Sequence, residues 1–191
     1  MRAPGRRPLV ALALAGVVGA VLVVGALAAP PEQEVPATLD AVVRYDLDQI
    51  PTTHTDDDVD YPQDPPVGGR HDPAWLDCGA YDVQVRAENL VHDLEHGTVV
   101  ISHRPDLDGD DVALLEEQLP DNGILTPWEG LDAPVVVTVW GVQLSLTGAD
   151  DPRLTLFIAQ FGNGETAPEP MASCAGGVPD PTGEESDSVA A

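Results

Sequence analysis

The sequence predicts an α+β domain: a small sheet packed by about three helices, with a long ordered Pro/Gly-rich loop and one transmembrane helix ahead of it. Three observations carry this. Apolar residues recur at helical spacing in three separate segments, β-branched or alternating runs fall between those segments, and a stretch from Asp46 to Asp82 has neither pattern. The order along the chain is helix, strand, helix, strands, helix, and there are no internal repeats.

The first segment is an address. Leu9 to Ala29 is an apolar run without a polar side chain. At about 1.5 Å per residue it is long enough to cross a hydrocarbon core of ~30 Å as a helix. Arg2, Arg6 and Arg7 precede it and acids follow, so the positive-inside rule leaves residues 1–8 as a basic cytoplasmic flank and exports the rest. Residues 9–29 are therefore expected as a single-pass transmembrane helix or uncleaved signal anchor in the cell membrane. The alternative is secretion after cleavage at Ala26-Leu27-Ala28. Residues 30–37 read as a linker, and 38–175 as the exported domain.

Within the domain, Thr38 to Tyr45 is expected as a short strand. The stretch Asp46–Asp82 holds five Pro and the Gly68-Gly69 pair, yet also Tyr61, Trp75 and Tyr81. Disordered segments are poor in aromatics, so it reads as an ordered loop draped over the domain. Ala87, Leu90, Val91 and Leu94 lie on one face of a helix, with Gly97 at its end. Thr98 to His103 is a strand by β-branched content. Asp108 is an N-cap residue for a helix carrying Val112, Leu115 and Leu119, ended by Pro120 and Asp121-Asn122-Gly123. Ile124–Thr126 and Val135–Trp140 are strands, and Val142, Leu144 and Leu146 alternate with polar residues as a third. Asp150-Asp151-Pro152 opens a last helix with Leu154, Phe157, Ile158 and Phe161, closed by Gly162. Residues 176–191 read as an acidic, disordered tail.

Charge excludes some partners. The chain has 33 acids and 8 basic residues, all Arg, for a formal net charge of −25. Every acid lies after residue 31, where only five Arg remain. Such a surface repels phosphate backbones and anionic headgroups, which excludes nucleic acid and polybasic membrane adhesion. The expected partners are the membrane, through the N-terminal helix, and another envelope protein.

Cys78 and Cys174 are the only cysteines. In an exported domain an even pair indicates a disulfide, here stapling the C-terminal part to the middle of the domain.

The chemical signal lies in the histidines. His92-Asp93-Leu94-Glu95-His96 reads H-x-x-E-H on a predicted helix. Two His at i and i+4 share a helix face and can share one metal, and the same order marks the inverted zincins. On the helical wheel Glu88, His92, Glu95 and His96 lie nearly opposite the apolar arc. They are thus exposed, near the negative end of the helix dipole, or covered by the long loop. That loop carries His54 and His71, so up to four imidazoles can converge. Imidazole plus carboxylate, without a free thiol, suits copper (cupric) or zinc. His103 ends a strand and has no spacing argument. Asp106, Asp108, Asp110 and Glu117 occupy calcium-loop positions, but Asp111 stands where that loop needs Gly, and helix capping explains them better.

Three blocks, Tyr61-Pro62-Gln63-Asp64-Pro65-Pro66-Val67-Gly68-Gly69-Arg70-His71, Trp75-Leu76-Asp77-Cys78-Gly79-Ala80-Tyr81 and Val91-His92-Asp93-Leu94-Glu95-His96-Gly97, together resemble the actinobacterial domain-of-unknown-function family catalogued as number 3105. The resemblance runs from about His54 to Cys174, and His54 matches a His of the pattern. His103, where the family more often has Tyr, and Val83-Gln84-Val85, which lacks a usual Pro, depart from it. The resemblance implies a membrane-anchored, exported domain and no activity.

Three functions are compatible with these residues. One is a metal-binding envelope domain using His54, His71, His92 and His96, with Glu95 as ligand or second partner. The next is a non-catalytic protein-binding module whose histidines hold the loop. The third is an inverted-zincin-like metallohydrolase with Glu95 as catalytic base. It lacks a suitable downstream Glu: Glu116 and Glu117 follow too closely and Glu129 lies in a loop.

Overall fold

The structure, a computed structural model, describes residues 37–183. The expected transmembrane run, most of the linker and the end of the tail lie outside the described residues. Among the described residues no helix is long and apolar enough to cross a membrane.

The domain is α+β, with six strands in one sheet and three α-helices. In chain order these are β1 (Val43–Arg44), β2 (Gly79–Ala80), α1 (Ala87–Glu95), β3 (Val99–His103), α2 (Gly109–Glu117), β4 (Gly123–Pro127), β5 (Val135–Val139), β6 (Val142–Leu146) and α3 (Arg153–Phe161). The sheet order is β1-β6-β5-β3-β4-β2. Strand β4 runs parallel to β3 and β2, and the other pairs are antiparallel. A parallel neighbour needs a crossover, which α2 supplies between β3 and β4. The β5–β6 hairpin turns at Trp140-Gly141, where Gly141 takes φ +69°.

Side-chain alternation divides the sheet into two faces. Val99, Ile101, Leu125, Val135, Val137 and Val139 point to one face and pack with Leu115 of α2 and with Leu154, Phe157 and Phe161 of α3. Val100, Ile124 and Val136 point to the other and pack with Leu90, Val91 and Leu94 of α1, joined by Leu76, Trp128 and Trp140. Strand β3 is buried along its whole length because both faces are covered.

Local differences from the sequence expectation have clear causes. The strand expected over Thr38–Tyr45 shortens to two residues, because β6 pairs only with Val43 and Arg44. Strand β2 carries no periodic signal, being two residues long, and it forms only by pairing with β4. Asp108 sits at the start of α2 but makes no side-chain capping bond. Within the expected Asp150-Asp151-Pro152 opening, Asp151 organises the start of α3. It accepts hydrogen bonds from the Arg153 amide at 3.0 Å and the Thr147 amide at 2.9 Å, and pairs with the Arg153 guanidinium. These donors hold its carboxyl well below the usual carboxylate range.

Cys78 and Cys174 form a disulfide across a sequence separation of 96. The bond fits an extracytoplasmic, oxidising compartment. Beyond it the described residues of the expected tail, 176–183, run back along the domain. Val178 forms a bridge with Leu76, donating its amide to Trp75 O at 2.8 Å and accepting that of Asp77 at 2.9 Å. Pro181 O accepts from the Arg86 amide at 2.8 Å.

Candidate metal centre

Helix α1 is apolar on one face only, yet Glu88 through Glu95 are all buried. The long loop covers the polar face. Its main chain supplies the partners that buried polar groups require. The Asp72 amide donates to Glu88 O at 3.3 Å, Asn89 Nδ2 donates to Ala74 O at 2.9 Å, and the Leu76 amide donates to Asp93 Oδ2 at 3.0 Å. Burial pushes the Asp93 carboxyl well above its ordinary range. Arg86, just ahead of α1, reaches Asp72 at 2.6 Å, Glu88 at 3.2 Å and Asp58 at 3.6 Å, tying both arms of the loop to the helix start.

The loop brings its two histidines together. Thr55 N donates to His71 O at 2.7 Å and His71 N to Thr53 O at 3.3 Å, a parallel bridge that sets His54 beside His71. Gly68 and Gly69, at φ +140° and +139°, let the chain pass against Trp140 and Tyr61; a Cβ on Gly68 would lie 2.8 Å from Ile50 Cγ2.

Ligand atoms of His54, His71, His92 and Glu95 then all lie within 4.8 Å of one another. The three imidazole centroids are 4.9, 5.0 and 4.9 Å apart. For comparison, donors on a tetrahedral ion with bonds of ~2.0–2.1 Å stand roughly 3.3 Å apart. Two rings are already oriented. His71 Nδ1 donates to Gly69 O at 2.8 Å and His92 Nδ1 to Asp72 O at 2.7 Å, which leaves each Nε2 as the ligating atom.

His71 Nε2 is buried without a hydrogen bond, although it stands 2.9 Å from Glu95 Oε2. In a neutral ring with its proton on Nδ1 both atoms are acceptors, and their close approach then needs a cation, either a metal ion or a second proton on the ring. His92 is pushed down to about 4 by burial, against its bond to Asp72 O and with the nearby His96, His71 and His54 adding to the lowering. A low basicity keeps the imidazole neutral, the form a metal requires.

Of the residues expected at this site, His96 is not in the group. Its Nε2 turns toward Glu169, 3.6 Å away, and its ring packs edge-on against Trp75 with centroids 5.2 Å apart. His103 lies elsewhere, its Nδ1 bonded to Arg104 O. Asp106 is engaged by Arg104 through two bonds of 2.9 and 2.6 Å. Among the described residues, the calcium-loop positions do not assemble a cation-binding group. No periodicity or motif marks the supporting residues Asp72, Arg86 and Glu169. Asp72 and Arg86 are fourteen positions apart, and only the path of the loop joins them.

Fold and site together define a small α+β domain whose covering loop closes a His₃Glu cluster over one helix. The chain belongs to the family described as "Protein of unknown function (DUF3105)", which matches residues 53–176 and so contains the whole cluster. No curated protein and no solved structure matches it.

Proposed function

We propose that this chain is a membrane-anchored, extracytoplasmic domain that binds one divalent transition ion, zinc or cupric copper, through His54, His71, His92 and Glu95. The observation that carries this is the convergence of four ligand atoms within 4.8 Å, with His71 Nε2 and Glu95 Oε2 buried 2.9 Å apart and flanked by two further imidazoles. Nitrogen and oxygen donors without a thiolate suit these ions. The disulfide supports export, and the apolar run Leu9–Ala29 supports the anchor.

The placement of His96 and Glu95 favours binding over hydrolysis. An inverted-zincin site needs His92 and His96 on the metal and Glu95 free to act as a base. Here His96 faces Glu169, and Glu95 stands among the ligand atoms. Four protein donors also fill a tetrahedral zinc and leave no open position for a catalytic water. The bonds from His71 and His92 to loop carbonyls hold the loop as a protein-binding module would require, but they leave the convergence of the opposite ring nitrogens without a role.

Metal analysis of the full chain, purified in detergent without a His-tag, tests the proposal. About one equivalent of zinc or copper is expected, lost in His71→Ala/His92→Ala and kept in His96→Ala. A metal-free protein whose melting temperature ignores both added ions would overturn it.

A further inference from the structure

The fold holds the four ligands unequally. His71, His92 and Glu95 are buried at 0, 5 and 5% exposure. Two of them stand on α1, and the third is fixed by its bond to Gly69 O and by the Gly68-Gly69 passage under Trp140. His54 is different. Its side chain is 53% exposed, and among the described residues its nearest charged partner is Glu95 Oε2 at 4.0 Å. No orienting bond of the kind made by His71 and His92 fixes its ring.

The segment carrying His54 has the same character. Ile50 and Tyr61 pack against the α1-side core, but residues 51–60 between them are exposed apart from the half-buried Thr55 and Val59. Four hydrogen bonds and two ion pairs of exposed acids, Asp57 with Arg70 at 3.8 Å and Asp58 with Arg86 at 3.6 Å, hold this strap. Of the hydrogen bonds, two are the bridge bonds to His71, one is Arg70 Nη2 donating to Thr55 Oγ1 at 2.9 Å, and one is the Val59 amide donating to Glu88 Oε1 at 2.8 Å. With little apolar area to bury, a segment like this opens locally at low cost.

We infer that the site is a transfer site and that His54 is its exchangeable ligand. The divalent ion leaves in steps: an incoming nitrogen donor first replaces His54 at this open edge while His71, His92 and Glu95 stay bound, further donor atoms of the same acceptor and water then replace those three, and loading runs in reverse. In the first step, the bond from the metal to the His54 nitrogen breaks and a bond from the metal to the incoming nitrogen forms. The oxidation state does not change, and the lone pair returns to the imidazole. This inference rests on the metal-binding reading and adds the route of exchange. It makes the domain a carrier of the ion instead of a fold that uses the ion only as a staple.

The test is zinc transfer from the loaded full chain to terpyridine, a nitrogen chelator. The transfer rate should rise in proportion to terpyridine concentration. His54→Ala should still take up one equivalent of zinc, roughly 10–100-fold more weakly, and release it at least about tenfold faster. His71→Ala should lose the ion. Independently of any variant, amide hydrogen exchange across residues 53–59 of the wild type should slow on zinc loading more than exchange across α3. A transfer rate independent of terpyridine, a His54→Ala variant that binds and releases zinc like wild type or fails as His71→Ala does, or no zinc effect on residues 53–59 would overturn the exchange route while zinc binding stands. A wild type that takes up no zinc would instead overturn the metal-binding reading, and the exchange route with it.

Discussion

The two faces of the sheet are built on different principles. On the side of α2 and α3 the strand side chains meet Leu115, Leu154, Phe157 and Phe161, and the core is made by close packing of apolar groups. On the side of α1 the core stops at the helix. Above it lie the buried polar groups His71, Glu88, Asn89, His92, Asp93, Glu95 and His96. A loop without regular structure provides their partners. Among the described residues, four of the six buried polar atoms left without a hydrogen bond fall here, on His71, Trp75, Asp93 and His96, so this is where the fold gives up stability. The first face explains why the domain folds. The second departs from the rules that make a stable core, and the departure is concentrated around one His₃Glu cluster.

The largest expected effect lies on the loop side. Replacing both cysteines by Ala reopens a loop of 96 residues, and chain-entropy arithmetic gives a loss of about 4–5 kcal/mol. Urea unfolding of the double variant measures it. Because the disulfide anchors the covering chain, zinc affinity should fall with stability. On the other face, Phe157→Ala should cost about 3–5 kcal/mol by the same measurement. Its zinc affinity should stay at the wild-type value. A Phe157→Ala protein that folds but no longer binds would show that the faces are not independent.

His92→Ala reverses that pattern. In zinc at a hundred times the dissociation constant, wild type should gain about 2.7 kcal/mol over its metal-free form, and the variant should gain none. Thermal melts with and without zinc read the difference.

Acidity should separate the faces as well. The unfolded chain protonates His92 near its ordinary 6.5, whereas the folded chain resists until about 4. Between those values the unfolded state binds more protons, so the metal-free protein loses stability as pH falls from about 6.5 to about 4. His92→Gln should flatten that part of the profile of melting temperature against pH. A slope unchanged by the substitution would remove His92 as its cause.

The smallest effect is expected at Asp108. A side-chain cap is ordinarily worth about 1 kcal/mol, but Asp108 makes no such bond. Asp108→Ala should therefore cost less than about 0.5 kcal/mol in urea unfolding. A full-size loss would mean that the capping bond forms in solution.

The regular elements were legible in the sequence because their periodicity is a direct record of burial. Leu90, Val91 and Leu94 mark one face of α1, and Val135 to Val139 mark a strand covered on both sides. H-x-x-E-H pointed to the helix that carries the cluster. Spacing pairs His92 with His96, since i and i+4 share a face, and their ring centroids stand 4.6 Å apart. The Nε2 of His96 nevertheless faces Glu169, while Glu95 stands beside His71. Strand β2, the bridge between Leu76 and Val178 and the tie from Arg86 to Asp72 left no sequence signal, because each depends on a partner remote in the chain.

The fold class, the acidic surface, the pair of cysteines and the small set of imidazoles that could carry chemistry are already written in the chain. These follow from composition and local period, which need no knowledge of long-range contacts. Tertiary structure alone decided which of the histidines meet, which ring nitrogen each presents, and that His54 stays at the edge while the others are buried. Those outcomes depend on where a loop without a repeating pattern crosses α1. That crossing is set by hydrogen bonds between residues far apart in sequence, from Asp72 to Arg86 and Glu88, from Ala74 to Asn89 and from Leu76 to Asp93.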